Sequence, residues 1–289
     1  MRSAASTTRR DFALRVALAA LLTILLTAIV GCRSAEKAFK PSNFRDWTPE
    51  QAVLPTAELH GDQVTVRNIR NCQYYASDTY LVDYYNKTFP LADVRGVDFL
   101  MVPFESMPAV AHTMLSFEIA PPGGKPEHLA VSVEVRKEKH ETYNPVLGSA
   151  RQFELIYVVA DERDVIRQRT NYRHENVYLY RTTAPPQVAQ LLLTDVLTRV
   201  NQLAKQPEFY DTLTNNCTTN IVRHINRVRP NRVQYDVRML LPGYSDQIAY
   251  NQGLIVPNGT FQQTRERAYI NPLAERFADN ENFSELIRR

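Results

Sequence analysis

Two residues stand out for the chemistry their types allow: Cys217, in Leu213-Thr-Asn-Asn-Cys-Thr-Thr-Asn-Ile221, and His112, which opens the run His112-Thr-Met-Leu-Ser-Phe-Glu-Ile119. A thiolate can attack an acyl carbonyl when a base takes its proton. Cys217 follows Asn215 and Asn216, both good N-cap residues, so it is expected at a helix start. Free amides and the helix dipole there favour a thiolate. The competing reading is a small buried residue beneath a helix start. Amides near Asn216 to Thr218 are candidate oxyanion donors or positioning groups.

The base must come from six histidines. His224 is seven residues beyond Cys217 on the same expected helix, about 10 Å along its axis at ~1.5 Å rise per residue. That is too far for direct proton transfer. His60 lies in an N-terminal arm, and His128, His140 and His174 sit among charges near loops or strand ends. His112 remains, on the less apolar side of a strand. A third group should orient its ring. Ser132 and Glu134 on a neighbouring strand are the candidates, with a cross-strand Glu134–Arg136 ion pair as the alternative. Arg136, Arg163 and Arg173 are candidate contacts for a substrate anion, although a run such as that holding Arg163, Arg169 and Arg173 is more often a solvated or ion-paired loop. No metal or cofactor site is expected.

Periodicity supplies the elements around these residues. Gln63–Arg70, Val97–Val102, Phe153–Val159 and Asn176–Tyr180 read as strands, whereas the Tyr-rich run Cys72–Asn86 reads as helical. In His112–Ile119, Thr113, Leu115, Phe117 and Ile119 face one way and His112, Met114, Ser116 and Glu118 the other. Leu129–Lys137 alternates most clearly, with Leu129, Val131, Val133 and Val135 on its apolar face and Ser132, Glu134 and Arg136 on its polar face. A helix begins at Pro185-Pro186, carries an apolar stripe from Leu193 to Leu203 and stops at Pro207. A second runs from about Asn216 with Ile221, Val222, Ile225 and Val228 as its stripe. Beyond Gly253 the chain is polar and is expected to wrap the surface. Strands followed by helices predict an α+β fold with an antiparallel sheet.

The first residues read as a targeting segment. Arg2, Arg9, Arg10 and Arg15 precede the uncharged run Val16–Gly31, shorter than the ~20 residues of a full membrane span. Residues 1–32 are thus a signal peptide or an anchor, with Cys32 the candidate lipidation site, and either reading places the rest in the cell envelope, facing the periplasm. Beyond the leader, acidic and basic residues balance, which excludes a nucleic-acid partner on charge. The expected partners are the membrane, through an N-terminal lipid or helix, and a lipoprotein, lipid or cell-wall substrate. The three cysteines, Cys32, Cys72 and Cys217, form no disulfide framework; a Cys72–Cys217 bond and a reactive Cys217 beside an inert Cys72 both fit. The expected organisation is a linker over 33–60, one domain over 61–255, and a C-terminal extension over 256–289 packed on it.

Several ordered motifs carry a resemblance. Val64-Thr-Val-Arg-Asn-Ile-Arg-Asn71, Val97-Asp-Phe-Leu-Met-Val-Pro-Phe104, Val110-Ala-His-Thr-Met-Leu-Ser-Phe117, Ser132-Val-Glu-Val-Arg-Lys-Glu138, Arg169-Thr-Asn-Tyr-Arg173 and Tyr210-Asp-Thr-Leu-Thr-Asn-Asn-Cys-Thr-Thr-Asn220 resemble the Lnb N-terminal periplasmic domain family over about residues 61–255. The resemblance implies a papain-like fold of the permuted NlpC type, with histidine before cysteine, and a link to lipoprotein intramolecular transacylase. By position it makes Cys217 the nucleophile and His112 the base, and it disfavours a disulfide at Cys217. The expected activity is a cell-envelope cysteine acyltransferase or hydrolase acting on an acyl ester or amide of a lipoprotein or lipid. A cell-wall peptide amidase or peptidase of the same fold, and a non-catalytic envelope binding module, are the alternatives.

Overall fold

The computed structural model describes residues 40–289 except 144–147, 149–150, 235, 237 and 239–240. Cys32 and the leader lie outside the described residues. The strands are β1 (Thr56–His60), β2 (Gln63–Arg70), β3 (Gln73–Tyr74), β4 (Tyr80–Leu81), β5 (Tyr84–Pro90), β6 (Val94–Phe104), β7 (Met107–Ile119), β8 (Glu127–Arg136), β9 (Glu154–Asp161) and β10 (Tyr178–Arg181). The helices are α1 (Glu162–Arg167), continued by a π-turn over Gln168–Tyr172, α2 (Pro186–Lys205), α3 (Cys217–Val228), α4 (Ser245–Asn251), α5 (Phe261–Ala268), α6 (Asn271–Arg276) and α7 (Phe283–Leu286).

The fold is mixed α+β around one large sheet in the order β1-β2-β9-β8-β7-β6-β10, with β5 also paired to β2. Its pairings are antiparallel except β2 with β9, which meet in parallel at Arg70 and Ala160. Alternation on β7 and β8 divides the core as the sequence predicts. Leu115, Phe117, Leu129, Val131 and Val133 join Leu193, Leu197 and Ile221 of α2 and α3 on one face. Met114 and Ala130 join Val165 and Ile166 of α1 and Ile270, Phe283 and Ile287 of the C-terminal segment on the other. Both faces are therefore covered. The side expected to be merely polar is interior: Ser116, Ser132 and Arg136 are all buried.

Three expectations are corrected. Cys72–Asn86 is not helical; it forms β3, β4 and the start of β5. Aromatic side chains fit a pleated surface, and Tyr84 and Tyr85 pair opposite Arg70 and Ile69. The charged run 161–173 is no loop. Asp161 caps α1 by accepting from the Arg163 amide, and Glu162, Asp164 and Arg169 are buried with ionic or hydrogen-bonding partners. Nor is the polar sequence beyond Gly253 only a surface wrap. Its few apolar residues fill the second core face, and Arg288 donates to the buried carboxylates of Asp98 and Glu162. Within the stretch expected as linker, Trp47 is buried beneath the Arg136 guanidinium and Thr56–His60 forms β1.

β7 also begins five residues before His112, at Met107. There the turn Pro242–Tyr244 presses on it: a Cβ on Gly243 would lie 2.0 Å from the Pro108 carbonyl oxygen, so only glycine permits the approach. The pairing of β7 with β8 ends at Met114 and Ser132. Beyond that pair lies the candidate site.

Candidate active site

Cys217 is the first residue of α3. Asn216 caps the helix by accepting from the Thr219 amide at 2.8 Å, and Thr219 Oγ1 accepts from the Asn216 amide at 2.9 Å, a closed capping box. The Asn216 side-chain amide also donates to the Thr212 carbonyl. Asn216 is thus a positioning residue with its groups already engaged. Thr218 Oγ1 likewise bonds Thr113 Oγ1 at 3.1 Å. The backbone amides of Cys217 and Thr218 have no hydrogen-bond acceptor among the described residues, as a helix start requires. Asn216→Ala is expected to cost about 1 kcal/mol of stability, read as a lower midpoint in urea unfolding; an unchanged midpoint would contradict the cap.

His112 is held by a chain whose direction can be derived. Its Nε2 is 2.6 Å from Ser132 Oγ, and Ser132 Oγ donates to Glu134 Oε1 at 2.7 Å. Glu134 Oε1 also receives Arg169 Nη2 at 3.2 Å, and its other oxygen receives Gln51 Nε2 at 3.3 Å. Burial opposes ionisation of Glu134, but Arg169 and the other donors overcome it and hold the carboxyl well below the usual range. An ionised carboxylate only accepts, so the single Ser132 proton points at Glu134. Ser132 must then accept from His112, which places the ring proton on Nε2. Nδ1 carries the lone pair, and it makes no hydrogen bond among the described residues. Ser132 and Glu134, alternatives in the sequence, act in series.

Burial, then the Arg169 charge, pushes the His112 imidazole down to about 3, against a pull upward from Glu134. The ring is neutral at neutral pH. An unfolded histidine takes up a proton below about 6.5, whereas the folded site refuses it until about 3. The resulting stabilisation is complete above the unfolded value and is lost as pH falls through this window. The unfolding free energy should therefore rise more steeply between pH 4 and 6.5 in the wild type than in His112→Gln. Equal slopes in urea titrations would contradict a neutral ring in the folded site.

Cys217 and His112 line one cavity of ≈240 Å³ together with Glu134, Arg169, Arg173 and Tyr210. In the alternation His112 belongs to the Met114 face, while α3 packs on the Thr113 face. They share a cavity because it occupies the space beyond the last β7–β8 pair, so its wall takes residues from both faces, Val133 as well as Glu134. The thiol is buried; it donates to the Ala111 carbonyl at 3.9 Å and lies 3.9 Å from Thr218 Oγ1. Its contact is thus with the residue before His112 on β7, not with the imidazole.

Two of the three anion candidates are elsewhere. Arg136 is spent on the Gln51 and Ala52 carbonyls and on Asn43, not on Glu134, and is shut in by Trp47. Arg163 donates to the Asn280 carbonyl and lies over the Phe283 ring at 5.8 Å, facing a separate cleft. Arg173 does line the Cys217 cavity, and its side chain has no hydrogen-bond or ionic partner among the described residues. Arg169, read only as part of a run, proves to be the cation behind Glu134; its spacing from the Val165-Ile166 pair in a helical frame was the available signal.

Cys72 and Cys217 are both free. Burial and the Asp164 carboxylate, which accepts from the Cys72 amide, push the Cys72 thiol up to about 12. His224 is occupied far from the thiol, between Tyr157 Oη at 2.8 Å and Asp195 Oδ2 at 2.5 Å. Among the described residues no group of three or more His, Cys, Asp or Glu is placed to hold a metal ion.

A family model described as Lnb N-terminal periplasmic domain matches residues 80–243, which carry every member of the His112–Ser132–Glu134–Arg169 chain and Cys217. The chain belongs to the Lnb N-terminal periplasmic domain family. This Lnb domain includes β4 to β10 and α1 to α3, so the matched segment holds the cavity walls on both sides of β7. The family places it among periplasmic domains. No curated protein and no solved structure matches the chain. No helix among the described residues is long and apolar enough to cross a membrane.

Proposed function

We propose that this Lnb domain is a cell-envelope cysteine acyltransferase or hydrolase with a permuted papain-like site. The observation that carries the reading is the hydrogen bonding of His112: the Ser132–Glu134–Arg169 chain engages Nε2 and leaves Nδ1 without a partner among the described residues, and His112 and Cys217 line one cavity. The thiol proton passes to Nδ1 and the sulfur attacks an acyl ester or amide carbonyl. The backbone amides of Cys217 and Thr218 meet the developing oxyanion. The leaving alcohol or amine takes the proton back from the imidazole, leaving an acyl-thioester that an amine or water then resolves. This requires the thiol to turn from the Ala111 carbonyl toward the ring, a tightening expected between free and substrate-bound geometry.

The substrate we favour is a lipoprotein or lipid acyl group presented at the membrane, where the N-terminal segment, through Cys32 or as an uncleaved anchor, holds the domain in the periplasm. Arg173 lines the same cavity, which supports a contact with an anionic group of that substrate. Cell-wall peptide cleavage by the same pair is the second reading. Incubation with a diacylated lipopeptide and with muropeptides, followed by mass spectrometry, separates them: a shifted or released acyl chain supports the first, a cut peptide the second. If both substrates stay unchanged and a thiol probe ignores Cys217 in the native protein, the domain is a binding module.

A further inference from the structure

We propose that a second, apolar cavity beside the thiol holds the alkyl chain of a long-chain acyl group; this rests on the acyl-transfer reading of Cys217. The chamber, ≈260 Å³, lies between the β6–β7 face and helices α2, α3 and α4, with Phe99, Leu115, Leu192, Ile221, Ile225 and Ile248 among its walls. Interiors close-pack and keep few voids larger than a water molecule. A chamber this size walled by branched and aromatic side chains suits an unbranched hydrocarbon, and it offers little to a polar peptide.

Three further observations select the occupant. The first is adjacency. Thr113 and Thr218 line the chamber, while their chain neighbours His112 and Cys217 line the other cavity. Thr218 Oγ1 is 3.1 Å from Thr113 Oγ1 and 3.9 Å from Cys217 Sγ. One hydroxyl pair therefore stands between the thiol and the apolar space. An acyl group bonded to sulfur would have its chain beside this partition. The second is Ser245, which lines the chamber at 9% exposure with its Oγ buried and without a hydrogen-bond partner among the described residues. A lone buried hydroxyl costs free energy unless a ligand oxygen satisfies it, and an ester or carboxyl oxygen would do so. The third is charge. Arg229 lines the chamber yet is exposed, with no ionic partner among the described residues. It is suited to the anionic end of an amphiphile. Arg232 also lines the chamber but is spent on the Gln252 and Gly253 carbonyls. Hydrocarbon walls, the unpartnered Ser245 hydroxyl and the Arg229 cation together describe an acyl chain attached to a polar or anionic group.

The test uses the full-length Cys217→Ala protein, in which chemistry is blocked, and saturated fatty acids of 8 to 16 carbons displacing a fluorescent fatty acid. The dissociation constant should tighten about fourfold per methylene until the chamber is full. Ile225→Trp, which fills the chamber from a half-buried position on α3, should weaken palmitate binding at least tenfold. Val222→Phe on the same wall provides a second variant should the first fail to fold. Absence of palmitate binding below its self-association concentration, or equal binding by the wild type and a folded wall variant, would overturn the proposal. Alkylation of Cys217 by iodoacetamide is measured separately, with Cys217 intact. It should stay within twofold in the wall variants, so failure of the chamber and failure of the nucleophile are read by different experiments.

Discussion

Cys217→Ala is expected to reduce turnover of the true substrate by at least ~10³-fold, since removing a nucleophile that works as a unit with its base eliminates most of the catalytic gain. The fold should survive. The substitution removes one sulfur atom from a helix start, and the Asn216–Thr219 box that forms that start does not involve the side chain. Thermal unfolding should shift by only a few degrees, the scale of about 1 kcal/mol in a domain of this size. Full activity in a folded Cys217→Ala protein would end the cysteine mechanism, whatever the substrate. His112→Gln should approach the same loss, whereas Cys72→Ala should leave turnover unchanged, because its thiol is buried beside Asp164 and held near 12.

Arg169→Met should act on both stability and chemistry. Arg169 is 5% exposed and supplies the nearest full positive charge to Glu134, which in turn anchors Ser132 and through it His112. Removing one partner of a buried ion pair costs about 3–5 kcal/mol because the other charge is left uncompensated. Denaturant unfolding should show a loss of this size. The imidazole supplies a second readout. After burial, Arg169 is the main influence keeping His112 unprotonated, so the ring should titrate at higher pH in the variant by NMR. A destabilised protein with an unmoved His112 titration would mean that Arg169 is structural alone. Arg169→Lys should restore part of the charge but not the geometry, since an ammonium cannot both donate to Glu134 and reach the Val165 carbonyl as the guanidinium does.

The legible part of this molecule followed from short-period patterns. Alternation in β7 and β8 assigned Thr113 and His112 to opposite faces, and the two asparagines before Cys217 marked a helix start that is found at that residue. What alternation could not convey is that both sheet faces are covered. The Ser132–Glu134–Arg136 side looked solvated because its coating is drawn from the charged run 161–173 and from the polar C-terminal segment, neither of which has a strong apolar period. Helix α1 was missed for the same reason: it buries Asp164 against Arg70 and Glu162 against Arg288, pairs separated too widely in sequence to be read locally. The Tyr-rich run 72–86 shows the reverse error, in which a helical spacing of aromatics was outweighed by the pairing of Tyr84 and Tyr85 with β2.

The candidate site divides along similar lines. Cys217, His112, Ser132 and Glu134 were readable as candidates from residue type and position, and the structure brings them to one cavity or one hydrogen-bonded chain. The order of the support was not, because deciding that Ser132 stands between His112 and Glu134 needs distances. Arg136 shares a face with Glu134 by alternation, yet lies toward the strand end, where Gln51, Ala52 and Trp47 from the N-terminal segment claim it. The Cys217–His112 relation itself depends on where two strands part, a property of the sheet and not of either motif.

The most direct measurement is capture of the covalent intermediate. The protein is mixed with a diacylated lipopeptide, quenched in acid within its first turnovers, and analysed by intact mass and peptide mapping. A cysteine nucleophile predicts one added acyl group, labile to hydroxylamine, on the peptide carrying Cys217, with the Cys72 peptide unmodified as an internal control and no adduct in Cys217→Ala. Product formed at the wild-type rate by Cys217→Ala, or an acyl adduct that maps to another residue, would contradict it.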